Sequence, residues 1–375
     1  MNPIEYHKKL HGKIEVISRA TINSKEDLSL AYTPGVAEPC KEIAADVSKV
    51  YEYTRKSNMV AVVTDGSAVL GLGNIGPEAS LPVMEGKCAL FKQFADVDAF
   101  PLALATQNPE EIIETVVRIA PMFGGINLED IAAPHCFTIL KALEEQLDIP
   151  VFHDDQDGTA IVVLAGLINA AKVVGTALSD CRVVINGAGA AGIAIARLLT
   201  AFGVGQINMI DSKGLIHSGR SDINNAKKEF AIASRGEEVQ IPLQDIIVDA
   251  NIFIGVSRGG ALTQDMVQTM ADGAIVFAMA NPDPEILPDQ AKAGGAAVVA
   301  TGRSDFANQI NNVLVFPGFF RGLLDKRIVK ITQEMKLSAA QALAGAVQEP
   351  NAEYIIPSPF DAGVSAKIAQ AISLQ

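Results

Sequence analysis

The chain has 375 residues, 49% hydrophobic and 19% charged, with a formal net charge of −13. That is enough apolar material for sizeable cores in two domains, and it argues against disorder and coiled coil. So negative a chain repels polyanions, so nucleic acid and membrane are not expected partners, and an anionic substrate needs local cations or a metal to hold it.

Cys40, Cys88, Cys136 and Cys181 are far apart and form no CxxC pair. The opening MNPIEYHKKLHGK has no apolar signal-peptide run, and no apolar stretch is long enough to span a bilayer. These features predict a reduced, cytoplasmic protein with mostly buried thiols.

In chain order, MVAVVTDG (59–66) reads as the first strand and leads into Gly71-Leu72-Gly73-Asn74-Ile75-Gly76. A helix follows over PEASLPVMEGKCALFKQFA, then a strand at AFPLALAT (99–106) and a helix at PEEIIETVVRIAPMF. After GGINLED come a helix at PHCFTILKALEEQL and a short strand at IPVFHDD (149–155). Residues 158 to 175 form a nearly all-apolar helix, which predicts burial between two domains. Strands then recur at VVIN, INMID, IFIG, AIVFAMA and AAVVA, the rhythm of a doubly wound sheet. The tail from about 330 reads as helical and then irregular. The expected fold is α/β: an N-terminal substrate and metal domain (1–157), then a Rossmann-type dinucleotide-binding domain with a helical tail (158–375).

Two stretches match G-x-G-x-x-G, so context decides between them. Gly187-Ala188-Gly189-Ala190-Ala191-Gly192 follows the strand RVVIN and opens a proline-free helix. Backbone N–H groups at that helix end suit a pyrophosphate. Asp211 closes the next strand, where an acid can bind a ribose 2′-OH and favour NAD. Ser212, Lys213, Lys227 and Lys228 lie close enough in sequence to leave NADP open. The loop at Gly71 is followed by Pro77 and Pro82 and reads as substrate-side.

Glu129 and Asp130 in INLED, and Asp154, Asp155 and Asp157 in HDDQDG, fall at strand or loop ends. Crowded carboxylates repel unless a cation intervenes, and all-oxygen ligation suits Mg²⁺ or Mn²⁺. His135 and His153 lie nearby without zinc spacing. The alternative is helix caps and solvated loops, with Asp157 a candidate N-cap. Lys87 shares a helical face with Met84, Cys88, Phe91 and Phe94. Burial there would lower its pKa and make it a base; the alternative is an amine that reaches out to water. Tyr32 precedes a Thr-Pro-Gly turn, Asn281 ends a strand, and Asn311–Asn312 sit in QINNVLVFPG; the asparagines are candidate ligand contacts.

Together AYTPGVAEP, TDGSAVLGLGNIGPEASLPVMEGKCALF, INLEDIAAPHCF, VFHDDQDGTAIVVLAGL, INGAGAAG, MIDSKGLI, FAMANPDPE and GRSDFANQINNVLVFPGFFRG resemble the malic enzymes, in their short bacterial form. The resemblance implies oxidative decarboxylation of L-malate to pyruvate and CO₂ with NAD or NADP and Mg²⁺ or Mn²⁺, in a homodimer. It implies Tyr32 as general acid and Lys87 as general base in contact with substrate. It implies Glu129, Asp130 and Asp155 as metal ligands, with Asp154 supporting. Asn281 and one of Asn311 and Asn312 would touch substrate, Asn281 also lying beside the cofactor. One position departs: Ala68 stands where long forms carry a substrate-binding arginine. A metal-dependent oxaloacetate decarboxylase on the same scaffold is the alternative activity.

Overall fold

The computed structural model describes residues 2–69, 71–233 and 240–373. Two sheets organise it. The first holds β1 (Met59–Thr64), β2 (Asp98–Ala103), β3 (Gly125–Leu128) and β4 (Val151–His153), all parallel, in the order β2-β1-β3-β4. The second holds β5 (Arg182–Asn186), β6 (Gln206–Asp211), β7 (Gly214–Leu215), β8 (Ile252–Gly255), β9 (Ile275–Ala278) and β10 (Val298–Thr301). Its order is β10-β9-β8-β5-β6-β7, parallel except for β7. The central strands are unbroken apolar runs because helices cover both faces. The second sheet reverses its strand order at β5, between β6 and β8, so a crevice opens at the carboxyl ends of β5 and β8.

The helix Thr159–Val174 is buried almost all round, as its composition predicted. With the preceding turn it is long and apolar enough to cross a membrane, yet 72% of that window is buried inside the protein. It belongs to one continuous core that takes in Val60, Val62 and Phe152 of the first sheet and Val183 and Ile185 of the second.

The tail departs from its sequence reading. After the helices Phe316–Asp325 and Gln333–Ala344 the chain ends in a further helix, Val364–Ala371. Phe316 and Phe320 pack on Phe91 at centroid distances of 4.7 and 5.3 Å, and Phe319 packs on Phe152 at 5.0 Å. The tail thus returns to cover the helix and sheet of the first half. The N-terminal arm does the opposite. Its helices Pro3–Leu10 and Lys25–Ala31 bury no residue, and Val16, Ile17, Leu28 and Leu30 lie exposed.

Candidate functional site

The strands β3 and β4 deliver the acids. Glu129 and Asp130 follow β3 directly, and Asp154–Gly158 form a π-helical turn directly after β4. Ligand atoms of Glu129, Asp130 and Asp155 lie within 4.8 Å of one another. The Asp130 N–H donates to Asp155 Oδ2 at 2.8 Å, and Asn127 Nδ2 donates to Glu129 at 2.9 Å. A Cβ at Gly158 would overlap the Asp154 carboxylate, so glycine is needed for that side chain to fold over its own turn.

Burial pushes these carboxyls up: Glu129 to about 7, Asp130 to about 9, Asp154 to about 7 and Asp155 to about 6. Repulsion from neighbouring acids adds to the rise. Asp130 Oδ2 is buried with no hydrogen-bond partner. Three converging hard oxygens, one of them an orphaned acceptor, fit Mg²⁺ or Mn²⁺.

Lys87 comes from the helix Pro77–Ala95, the predicted span, and is buried with Met84, Cys88 and Phe91. Its ammonium pairs with Asp154, reaches Glu129 at 3.0 Å and lies 4.2 Å from the centroid of the Phe316 ring. The expectation that burial lowers its pKa is overturned. Burial does press on the charged form, but Asp154 and Glu129 outweigh it and raise the pKa. Asp157 is no helix cap: its carboxylate accepts from Lys336 Nζ at 2.7 Å. His153 is fully buried, and burial lowers its pKa to about 4, so it stays neutral; His135 is exposed.

The second half supplies the glycine turn. Gly187 has φ +123°, and a Cβ there would collide with the Val256 carbonyl. A Cβ at Gly192 would collide with the Gly187 carbonyl, while the Gly189 position is open. Gly189, Ala190, Ala191 and Gly192 line a cleft of about 1040 Å³; Gly187 and Ala188 complete the turn outside its lining. Asp155, Asn281, Asn311, Asn312 and Ala68 line the same cleft, so residues from both halves meet there. The first-half loop joins in: a Cβ at Gly71 would lie 3.0 Å from the Asn281 carbonyl. Asn311 uses its side-chain oxygen to cap Val313 N–H at 2.9 Å, whereas the Asn312 Cβ lies beside Gly158 of the acid turn.

Asp211 ends β6 outside the cleft lining. Arg220 grips both its oxygens, at 2.8 and 3.0 Å, and Lys227 adds a bond of 2.7 Å. Burial would raise its pKa, but these bonds hold it below the usual carboxylate range. Tyr32 is apart from all of this: it is 67% exposed and absent from the cleft. Sequence reasoning passed over Arg258, the one cation in the cleft lining among the described residues. Its signal was there, in VSRGG directly after the strand IFIG, where α/β proteins bind ligands.

The family profile "Malic enzyme, N-terminal domain" matches residues 11–111 and 105–144, and "Malic enzyme, NAD binding domain" matches 156–375. A bifunctional malic/malolactic enzyme of Bacillus subtilis is 58% identical over 373 residues, covering 99% of this chain and 91% of the relative. An NADP-dependent malic enzyme of Halomonas elongata is 47% identical, with 99% and 92% covered. The crystal structure of an NAD-dependent malic enzyme from Thermotoga maritima matches with a TM-score of 0.94 at 46% identity, over 99% of each chain. Two profiles, near-complete coverage and the same fold agree with the site: the chain belongs to the malic enzyme family of NAD- or NADP-dependent oxidoreductases.

Proposed function

We propose that this malic enzyme converts L-malate to pyruvate and CO₂ in the cleft between the two sheets, with Lys87 as the base. The observation that carries this is the setting of Lys87: a buried ammonium between Asp154 and Glu129, beside a three-carboxylate donor set. Glu129, Asp130 and Asp155 would hold Mg²⁺ or Mn²⁺, which when bound supplies Lewis-acid polarisation of the substrate's C2 oxygen. Gly187 to Gly192 would hold the nicotinamide dinucleotide, which accepts the hydride.

Lys87 acts in its neutral form: having given up its own proton, the amine takes the C2 hydroxyl proton. With Glu129 committed to a cation, Lys87 keeps Asp154 as its only paired carboxylate among the described residues. Burial then weighs more heavily on its charged form. Asp154 is no member of the donor set and serves to aim the amine. Asn281 and one of Asn311 and Asn312 orient the substrate; the Asn311 side-chain oxygen is spent on the Val313 N–H, which favours Asn312. Asp211 stands between Arg220 and Lys227, which cancels its repulsion of a 2′-phosphate, so both NAD and NADP are accepted.

Tyr32 protonates C3 after decarboxylation, and a second copy of the chain supplies it. The support is its exposure outside its own cleft, on an arm whose Val16, Ile17, Leu28 and Leu30 lie exposed. The working form is therefore a homodimer. Four unbridged cysteines favour a reducing, cytoplasmic setting.

The test is L-malate turnover with Mn²⁺ and either cofactor, with CO₂, pyruvate, lactate and reduced nicotinamide all measured. Reduced cofactor equal to CO₂ is expected. CO₂ release from oxaloacetate with no malate-dependent reduction would replace this reading with a decarboxylase. Lactate as the main product would replace it with the second activity named for the Bacillus relative.

A further inference from the structure

We infer that Arg258 clamps the pyrophosphate of the dinucleotide, closing from the loop after β8 over the phosphates held by the glycine turn. This rests on the dinucleotide reading of Gly187 to Gly192. The cleft must receive a dianionic substrate and a cofactor with a charged pyrophosphate, yet Arg258 is the only cation in its lining among the described residues. The neighbouring cations are already engaged. Arg303 pairs with Asp305 and donates to the Pro282 carbonyl, Arg220 holds Asp211 and Asp222, and Lys87 holds Glu129 and Asp154. Arg258 is exposed and forms no hydrogen bond or ion pair with the described residues.

Its root, by contrast, is fixed. Val256 N–H donates to the Asn186 carbonyl at 2.9 Å, extending β8 alongside β5. Asn186 Nδ2 donates to Ser257 Oγ at 3.0 Å. Ser257 N–H donates at 2.9 Å to Glu285, which is fully buried and also accepts from Ala280 N–H at 3.0 Å. The Val256 carbonyl lies against Gly187, the first residue of the turn. Arg258 therefore springs from a point stitched to the glycine turn. Its guanidinium has no partner among the described residues and lines the same cleft as Gly189–Gly192, where the helix Ala190–Phe202 begins. A planar fork of donors suits two phosphate oxygens at once. The substrate carboxylates fit this cation less well, because the metal-binding acids lie on loops of the other sheet.

Calorimetric titration of the full-length protein with ADP-ribose, NADH and NADPH tests this, run beside malate kinetics at saturating cofactor. ADP-ribose carries the pyrophosphate without the nicotinamide. Arg258→Ala should weaken all three ligands alike, by roughly ten- to a hundredfold for a lost charge-assisted contact. Arg258→Lys should recover part of the loss, and the KM for malate should move less than about twofold. A raised malate KM with unchanged ADP-ribose binding would assign Arg258 to the substrate and overturn the inference. Loss confined to NADPH would assign it to the 2′-phosphate and overturn the inference equally. Unchanged binding throughout would leave Arg258 no ligand and also overturn it. Failure of the unaltered protein to bind ADP-ribose would instead overturn the dinucleotide reading itself.

Discussion

Four crowded carboxylates around one lysine carry a titration signature. Glu129, Asp130, Asp154 and Asp155 have folded pKa values of about 7, 9, 7 and 6, against 4.5 for a free Glu and 3.8 for a free Asp. Between those limits the folded, metal-free protein binds more protons than the unfolded chain. The stability these four groups contribute is therefore full below about pH 4 and is lost as pH rises toward 9. A bound divalent cation reverses the trend, because it favours the same carboxylates ionised. Thermal melts with and without Mn²⁺ should show a larger rise in Tm at pH 8.5 than at pH 6. Asp155→Asn should remove most of that rise and weaken Mn²⁺ at least about tenfold. The residue types of this site were legible in the sequence, because INLED and HDDQDG announce crowded acids. The direction of the Lys87 shift was not. It depends on which carboxylates face the amine, and Asp154 lies 67 positions away along the chain. Nor could the sequence show that Asn311 spends its side-chain oxygen on the Val313 N–H, since capping is a matter of backbone geometry.

The turn Asp154–Gly158 ties two distant elements together. Lys336, on the helix Gln333–Ala344, pairs with Asp157 at 2.7 Å, with the two side chains 18% and 10% exposed. Asp157 lies two residues from Asp155, so that helix steadies the acidic turn proposed to hold the metal. Lys336→Met leaves the Asp157 carboxyl nearly buried without its partner. Urea unfolding should register a loss of about 3 kcal/mol, the scale for breaking a buried pair from one side. Mn²⁺ affinity should fall in the same variant, and Asp157→Asn added to it should restore a substantial part of the stability. Equal losses in the single and double variants would remove the pairing from the account. Most strands were legible, because β-branched runs covered on both faces leave few alternatives, but β3 in GGINLED, four residues long and opened by glycine, was not among them. The last helix was not. AGVSAKIAQAI is short and weakly patterned, and it forms by packing Val364 and Ile368 on the core.

At the scale of the whole molecule, the N-terminal arm sets the exposed Tyr32 outside the cleft that holds Asp155 and Asn312. Mixing two inactive variants tests whether subunits exchange it. In a dimer of Tyr32→Phe with Lys87→Ala, one of the two sites regains both residues. Random reassembly should return roughly a quarter of wild-type malate turnover. Activity no higher than the sum of the parents would place Tyr32 in its own subunit. The two-domain plan was legible because each half carries its own strand rhythm. The return of the tail onto Phe91 and Phe152 was not, because long-range aromatic packing leaves no local period.

At Gly71 the two halves of the molecule come close at the cleft, against the Asn281 carbonyl. Gly71 has φ +74°, and a methyl group there would lie 3.0 Å from that carbonyl and 3.2 Å from Pro282 Cδ. Oxidation and decarboxylation are consecutive, so any keto acid formed between them either reacts on or leaks away. Gly71→Ala should wedge the rim and raise the share that escapes. Free oxaloacetate, trapped with a hydrazine during turnover, should then rise relative to pyruvate while reduced nicotinamide keeps pace with malate consumed. A missing methyl group would thus decide how faithfully two reactions are kept as one.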